Sequence, residues 1–92
     1  MSYYVYMLKS TNKKSVTYVG YTKDLQNRIR LHNTGKGAKF TRGRYWKLIY
    51  YKKYTSKNIA LKEEYKLKKN YTLRDRIKKN YFKNDHFSSS SI

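Results

Sequence analysis

Five carboxylate residues, two histidines and twelve tyrosines supply nearly all the acid–base chemistry of this 92-residue chain, which has no cysteine. Lack of cysteine removes thiol nucleophiles, thiolate zinc sites and disulfides from consideration. Among the acids, Glu64 is out of place. The apolar residues of segment 57–69 (Ile59, Ala60, Leu61, Tyr65, Leu67) centre on a direction close to Glu64 if the segment is helical, and Glu63 falls at the edge of that face. An ionised carboxylate facing a core costs several kcal/mol unless something pairs with it. Glu64 is therefore an ion-pair partner for one of 23 basic side chains, a residue of a helix less buried than its pattern suggests, or a ligand for a cation. Five acids cannot build a multi-carboxylate cage, but Mg²⁺ takes one or two carboxylates beside water and substrate phosphate. Arg28 and His32 form a second anomaly, on the inward stripe Leu25, Arg28, Ile29, His32 of an earlier helical segment. An arginine can clamp charge developing on a phosphoryl centre, and a histidine can accept or deliver a proton. The plainer alternative is a satisfied core histidine beside a snorkelling arginine. Tyr6 and Tyr18 are weak signals among twelve tyrosines, and either becomes a base only where nearby cations depress its pKa.

Lysine and arginine outnumber aspartate and glutamate by 23 to 5, a formal charge of +18. A chain this basic is expected to meet a polyanion, nucleic acid first among them. Cations Lys36, Lys39, Arg42 and Arg44 lie in one glycine-punctuated loop (34–45) that contains no acid, where glycines would let a phosphate approach the backbone. Lys23 joins them as a nucleic-acid-binding candidate. The later lysines (Lys66, Lys68, Lys69, Lys78, Lys79) read as a general basic face.

The elements that must hold these residues are legible in outline. YYVYMLK (3–9) has the aromatic and β-branched content of a strand, with Tyr4, Tyr6 and Leu8 on one face and Tyr3, Val5 and Met7 on the other. VTYVGY (16–21) reads as a second strand, joined to the first as an antiparallel hairpin whose register is not fixed. Thr22 is a candidate cap for a helix from Lys23-Asp24 to about Asn33, ended by Gly35 and Gly37. WKLIYY (46–51) reads as a third strand. Ser56 is expected to cap a helix over 57–69, and Thr72 a short one over 72–82 with Asp75 completing a capping box. The expected domain is residues 1–83, with a polar, disordered tail at 84–92. Hydrophobic residues make up only 38% of the chain, but 17% aromatic content makes a small core feasible. No apolar run approaches the roughly 20 residues of a membrane span and no h-region follows Met1, so no membrane partner is expected.

Tyr4-Val5-Tyr6 followed by Tyr18-Val19-Gly20 resembles the paired motif of GIY-YIG endonuclease domains. Arg28 and His32 match that family's helical arginine and a position often histidine; GKGAKFTRGR is similar to the loop of small stand-alone members, and ALKEEYKLKK aligns Glu64 with the metal-binding glutamate. The first motif departs from the family in beginning with Tyr4 rather than glycine, and the family's late asparagine has two candidates, Asn70 and Asn80.

The resemblance implies an α+β fold: a three-stranded antiparallel sheet flanked by helices, in the order β-β-α-β-α-α. It implies hydrolysis of DNA phosphodiesters, by nicking or structure-specific cleavage in repair or recombination. Glu64 would hold Mg²⁺ or Mn²⁺, and Arg28 would stabilise the pentacovalent charge. Tyr18 is expected to help deprotonate the attacking water, with Tyr6 and His32 positioning it or sharing the proton. DNA is the expected partner, with RNA left open, and a protein partner could supply specificity. The expected location is a reducing one, cytoplasmic, nucleoid or nuclear. The alternative is a basic nucleic-acid-binding module on the same fold that does no chemistry.

Overall fold

The computed structural model describes residues 1–11 and 16–90, with side chains described as far as Tyr81. Strand β1 (Tyr3–Ser10) is flanked by β2 (Thr17–Thr22) on one side and β3 (Trp46–Tyr54) on the other, all antiparallel. Helix α1 (Leu25–Asn33) follows β2, a 3₁₀ turn (Lys39–Thr41) precedes β3, and α2 (Lys57–Lys69) and α3 (Tyr71–Ser90) close the chain. This is the expected β-β-α-β-α-α order. Most of the polar connection expected between β1 and β2, residues 12–15, lies outside the described residues.

The central strand is buried on both faces, which explains its near-continuous apolar character. Tyr6 and Leu8 pack with Trp46 on one face, against Tyr18, Leu48 and the α1 residues Leu25 and Ile29. Val5 and Met7 pack on the other with Val19, against Ala60 and Leu67 of α2 and Ile77 of α3. Pairing of Tyr6 with Gly20 and Leu8 with Tyr18 fixes the hairpin register and puts Tyr6 and Tyr18 on one face. The β1–β3 ladder shifts register between Met7 and Leu8, and β3 continues three residues beyond the expected Tyr51.

Helix ends differ in detail from expectation. Asp24, not Thr22, is the N-cap of α1, its carboxylate accepting from the Asn27 N–H at 3.2 Å. Thr22 instead supports the cap, its hydroxyl accepting from the Asp24 N–H at 3.1 Å. Ser56 caps α2 as expected. Asn70 rather than Thr72 caps α3, accepting from the Leu73 N–H at 3.0 Å, and this occupies one of the two candidate late asparagines. Asp75 pairs instead with Lys79 at 3.1 Å, one turn on. The helical backbone of α3 runs to Ser90, past the expected start of a disordered tail at 84. No glycine or proline lies between 71 and 90 to stop it.

Glu64 does lie on the inward side of α2, between buried Ala60 and Leu67. Ile59, Leu61 and Tyr65, which helped define that direction in the sequence, are themselves exposed. They flank the buried line rather than belong to it.

Candidate active site

A hydrogen-bonded chain runs from β1 through α1 into the 3₁₀ turn. The Tyr6 hydroxyl lies 2.8 Å from Nε2 of His32, and Nδ1 of His32 lies 2.9 Å from the Thr41 hydroxyl. Thr41 in turn donates its only hydroxyl proton to the Ala38 carbonyl, at 2.8 Å. Its oxygen must therefore accept from His32, which places the imidazole proton on Nδ1. Burial, and after it the charge of Arg28, pull the His32 pKa below its usual 6.5, so the ring is neutral at pH 7. Nε2 is then a bare acceptor and Tyr6 is its donor. All three residues are buried.

Each link has a local cause. Opposite Tyr6 stands Gly20, where any Cβ would run into the Tyr6 ring and hydroxyl; the missing side chain lets the phenol lie across the edge strand. Gly37 does the same for His32, since a Cβ there would collide with the imidazole. Gly35, at φ +79°, ends α1 in a Schellman motif, with the Lys36 N–H on the Leu31 carbonyl (2.9 Å) and its own N–H on that of His32 (3.3 Å). Gly35 and Gly37 thus have structural reasons of their own. The indole N–H of Trp46 donates to the Thr41 carbonyl at 2.9 Å. Asn33 holds both backbone groups of Trp46, accepting from its N–H at 2.6 Å and donating to its carbonyl at 3.1 Å. The end of α1, the turn and the start of β3 are tied together by these bonds.

The positive charge of Arg28 acts on the Tyr6 hydroxyl and favours its ionised form. Even so, burial and then repulsion from Tyr18 push the Tyr6 pKa well up, with Glu64 adding to the rise and Arg28 only partly opposing it. Tyr6 is a protonated donor, not a phenolate. The Tyr18 ring lies 4.9 Å from the His32 ring and 6.4 Å from that of Tyr6. Tyr6, Tyr18, Arg28 and His32 are therefore brought together, and Glu64 acts on the same hydroxyl from α2. Its side chain is 19% exposed and lies 3.6 Å from the Lys68 ammonium. Among the described residues no group of three or more metal-ligating side chains occurs. A lone hard oxygen donor fits an ion that keeps most of its water and takes substrate phosphate as its other ligand.

The expected nucleic-acid contacts divide in two. Lys36, Lys39 and Arg42 are exposed on the loop that holds His32, and Arg44 sits half-buried beside them. Lys23, at the β2–α1 junction, lies over the Tyr3 ring, on the sheet face away from Tyr6. The sequence reading missed Thr41, Asn33 and Gly37's steric role, because each depends on a contact across elements that no local pattern announces.

A small α+β domain with a clustered tyrosine–histidine–arginine site and an inward glutamate is the type that fold and geometry define. The chain belongs to the GIY-YIG family, a family of endonucleases: the model of the GIY-YIG catalytic domain matches residues 2–81. A UPF0213 protein of Oceanobacillus iheyensis is 45% identical over 67 residues, covering 72% of this chain and 76% of that protein. One from Staphylococcus epidermidis is 42% identical over 77 residues, covering 83% and 90%. The solution structure of a UPF0213 protein from Bacillus halodurans is 38% identical, covers 83% of this chain and 80% of its own, and superposes with a TM-score of 0.48.

Proposed function

We propose that this protein is a divalent-metal-dependent DNA endonuclease that nicks or cuts structured DNA, in repair or recombination, in the cytoplasm, nucleoid or nucleus. The observation that carries this reading is the Tyr6–His32–Thr41 chain: a buried hydroxyl whose proton has a neutral, correctly oriented acceptor. In an in-line attack, the Tyr6 oxygen takes a proton from water as its own proton passes to Nε2 of His32. The imidazolium so formed is held by Thr41 and, through it, the Ala38 carbonyl. Tyr6, not Tyr18, is then the relay, because the bond to imidazole belongs to Tyr6. Tyr18 packs against the ring and fixes its plane. Arg28 neutralises charge gathering on the phosphoryl oxygens. Glu64 would hold Mg²⁺ or Mn²⁺, which when bound supplies Lewis-acid and leaving-group stabilisation. Lys36, Lys39, Arg42 and Arg44 would follow the backbone of the bound strand, with Lys23 an outlying contact. A protein partner would add specificity.

The test is cleavage of nicked, flapped and branched DNA with Mn²⁺. Activity should vanish in EDTA and in Glu64→Ala and Arg28→Ala. Cleavage that survives either substitution overturns the assignment. Binding unchanged in EDTA with no cut on any substrate would support a binding module instead.

A further inference from the structure

The residue before Thr41 points the other way. Phe40 is 52% exposed, although burying such a ring is favourable. It is not stranded: its ring stacks on Tyr18 with centroids 6.2 Å apart and planes at 21°, and lies 6.2 Å from Trp46. The Arg44 guanidinium stands 5.8 Å from the ring centre, near the outer limit of a cation–π contact, and the residue is half exposed with it there. Lys39 and Arg42, its neighbours on either side of the turn, are exposed. An open aromatic surface thus continues the aromatic column of the candidate active site outward and is ringed by cations.

We infer that Phe40 is a stacking platform for one unpaired nucleobase beside the scissile phosphate. The inference rests on the endonuclease reading for the position of that phosphate, and adds a substrate class to it. A flat ring flanked by cations matches a nucleotide, whose base has a π-face and whose phosphate is anionic. Within a duplex both faces of each base are already stacked, so the platform takes only a base that is unpaired, as at a flap, a gap or a single strand. The one turn (Lys39–Thr41) then serves both ends of the chemistry: Thr41 orients His32 inward while Phe40 seats the strand outward.

The test measures binding in EDTA, so that no cleavage is needed. Single-stranded and flapped oligonucleotides carry 2-aminopurine at successive positions, or a tetrahydrofuran abasic site at the position that responds. One position should be quenched by the wild-type protein and not by Phe40→Leu. An abasic site there should weaken wild-type binding about 10- to 100-fold, the size of one base–aromatic stack. The same abasic site should leave Phe40→Leu binding unchanged, Phe40→Tyr should behave as wild type, and duplex affinity should be the same for all. Equal loss by Phe40→Leu on duplex and unpaired strands, or equal sensitivity of both proteins to the abasic site, overturns the platform. If Phe40→Leu does not fold, an indifferent abasic scan with the wild-type protein overturns it alone. Expected binding without cleavage would remove the endonuclease reading and leave the platform standing.

Discussion

Nδ1 of His32 and the hydroxyl of Thr41 lie 2.9 Å apart, and the bond runs from the ring to the threonine because Thr41 donates elsewhere. A residue outside the paired tyrosine motifs therefore selects the tautomer of His32, which in the proposed mechanism receives the proton. Thr41→Val keeps the shape and removes the acceptor. It should lower kcat about 10- to 100-fold, part of the roughly 10²–10⁴ that a positioned acid–base group contributes. KM should stay unchanged and Thr41→Ser should restore the rate. A rise in KM at constant kcat would mean that Thr41 only holds the loop.

Tyr6→Phe should remove about two or more orders of magnitude from kcat while substrate binding persists. It also leaves the buried Nε2 without a donor, at a cost of about 1–3 kcal/mol in stability. Parallel measurement of single-turnover rate and thermal unfolding separates the two losses. A Tyr6→Phe protein with full activity would transfer the relay to Tyr18.

His32 gives the fold and the rate a shared pH dependence. Its folded pKa is depressed, so below about 6.5 the unfolded chain binds a proton that the folded one refuses. The stabilisation is complete above that value and is lost as pH falls through and below it. Melting temperature should therefore fall between pH 7 and pH 5, and less steeply in His32→Asn. That comparison leaves the chain's other histidine, His86, in place as an internal control. The acid limb of the cleavage profile should lie below the usual histidine range, where the ring loses its free Nε2.

Two glycines two residues apart should answer alanine differently. Gly37→Ala drives a methyl group into the buried imidazole, an overpacking of about 1–3 kcal/mol, and should reduce kcat as well as stability. Gly35→Ala pays only for a left-handed backbone, about 1–2 kcal/mol, in open space. Its kcat should be close to wild type at a temperature where it is folded. Equal kinetic damage from both would remove the steric account of Gly37.

Glu64→Gln should abolish metal-dependent cleavage without unfolding the protein. Its partner Lys68 is about half exposed at 3.6 Å, a pair worth about 0–1 kcal/mol, and removing an inward charge offsets that loss. A large drop in melting temperature would make Glu64 a structural ion-pair residue instead.

The three strands and the bodies of α1 and α2 were legible because their signals are local: the tyrosine and valine runs of β1 and β2, and the Ser56 cap. The inward positions of Arg28, His32 and Glu64 were legible from helical spacing, even though three apolar neighbours of Glu64 are exposed. What spacing could not supply was partnership across the fold. Asp24 outcompetes Thr22 for the α1 cap because its carboxylate reaches the Asn27 N–H, and Asn70 takes the α3 cap from Thr72. Gly35 was legible as the end of α1, but the steric role of Gly37 needs the imidazole beside it to be seen. Which motif tyrosine bonds to the imidazole depends on one 2.8 Å contact that the order of the motifs cannot reveal.

The chain's single tryptophan is held at three points, by Asn33 at its backbone N–H and carbonyl and by Thr41 at its indole. Those bonds join the helix that carries His32 to the turn that orients it, so the tryptophan's surroundings and the alignment of the site change together. Trp46 is in effect a resident optical gauge. Loosening of the turn should shift its emission to the red and speed exchange of its backbone amide while the rest of β3 is still protected.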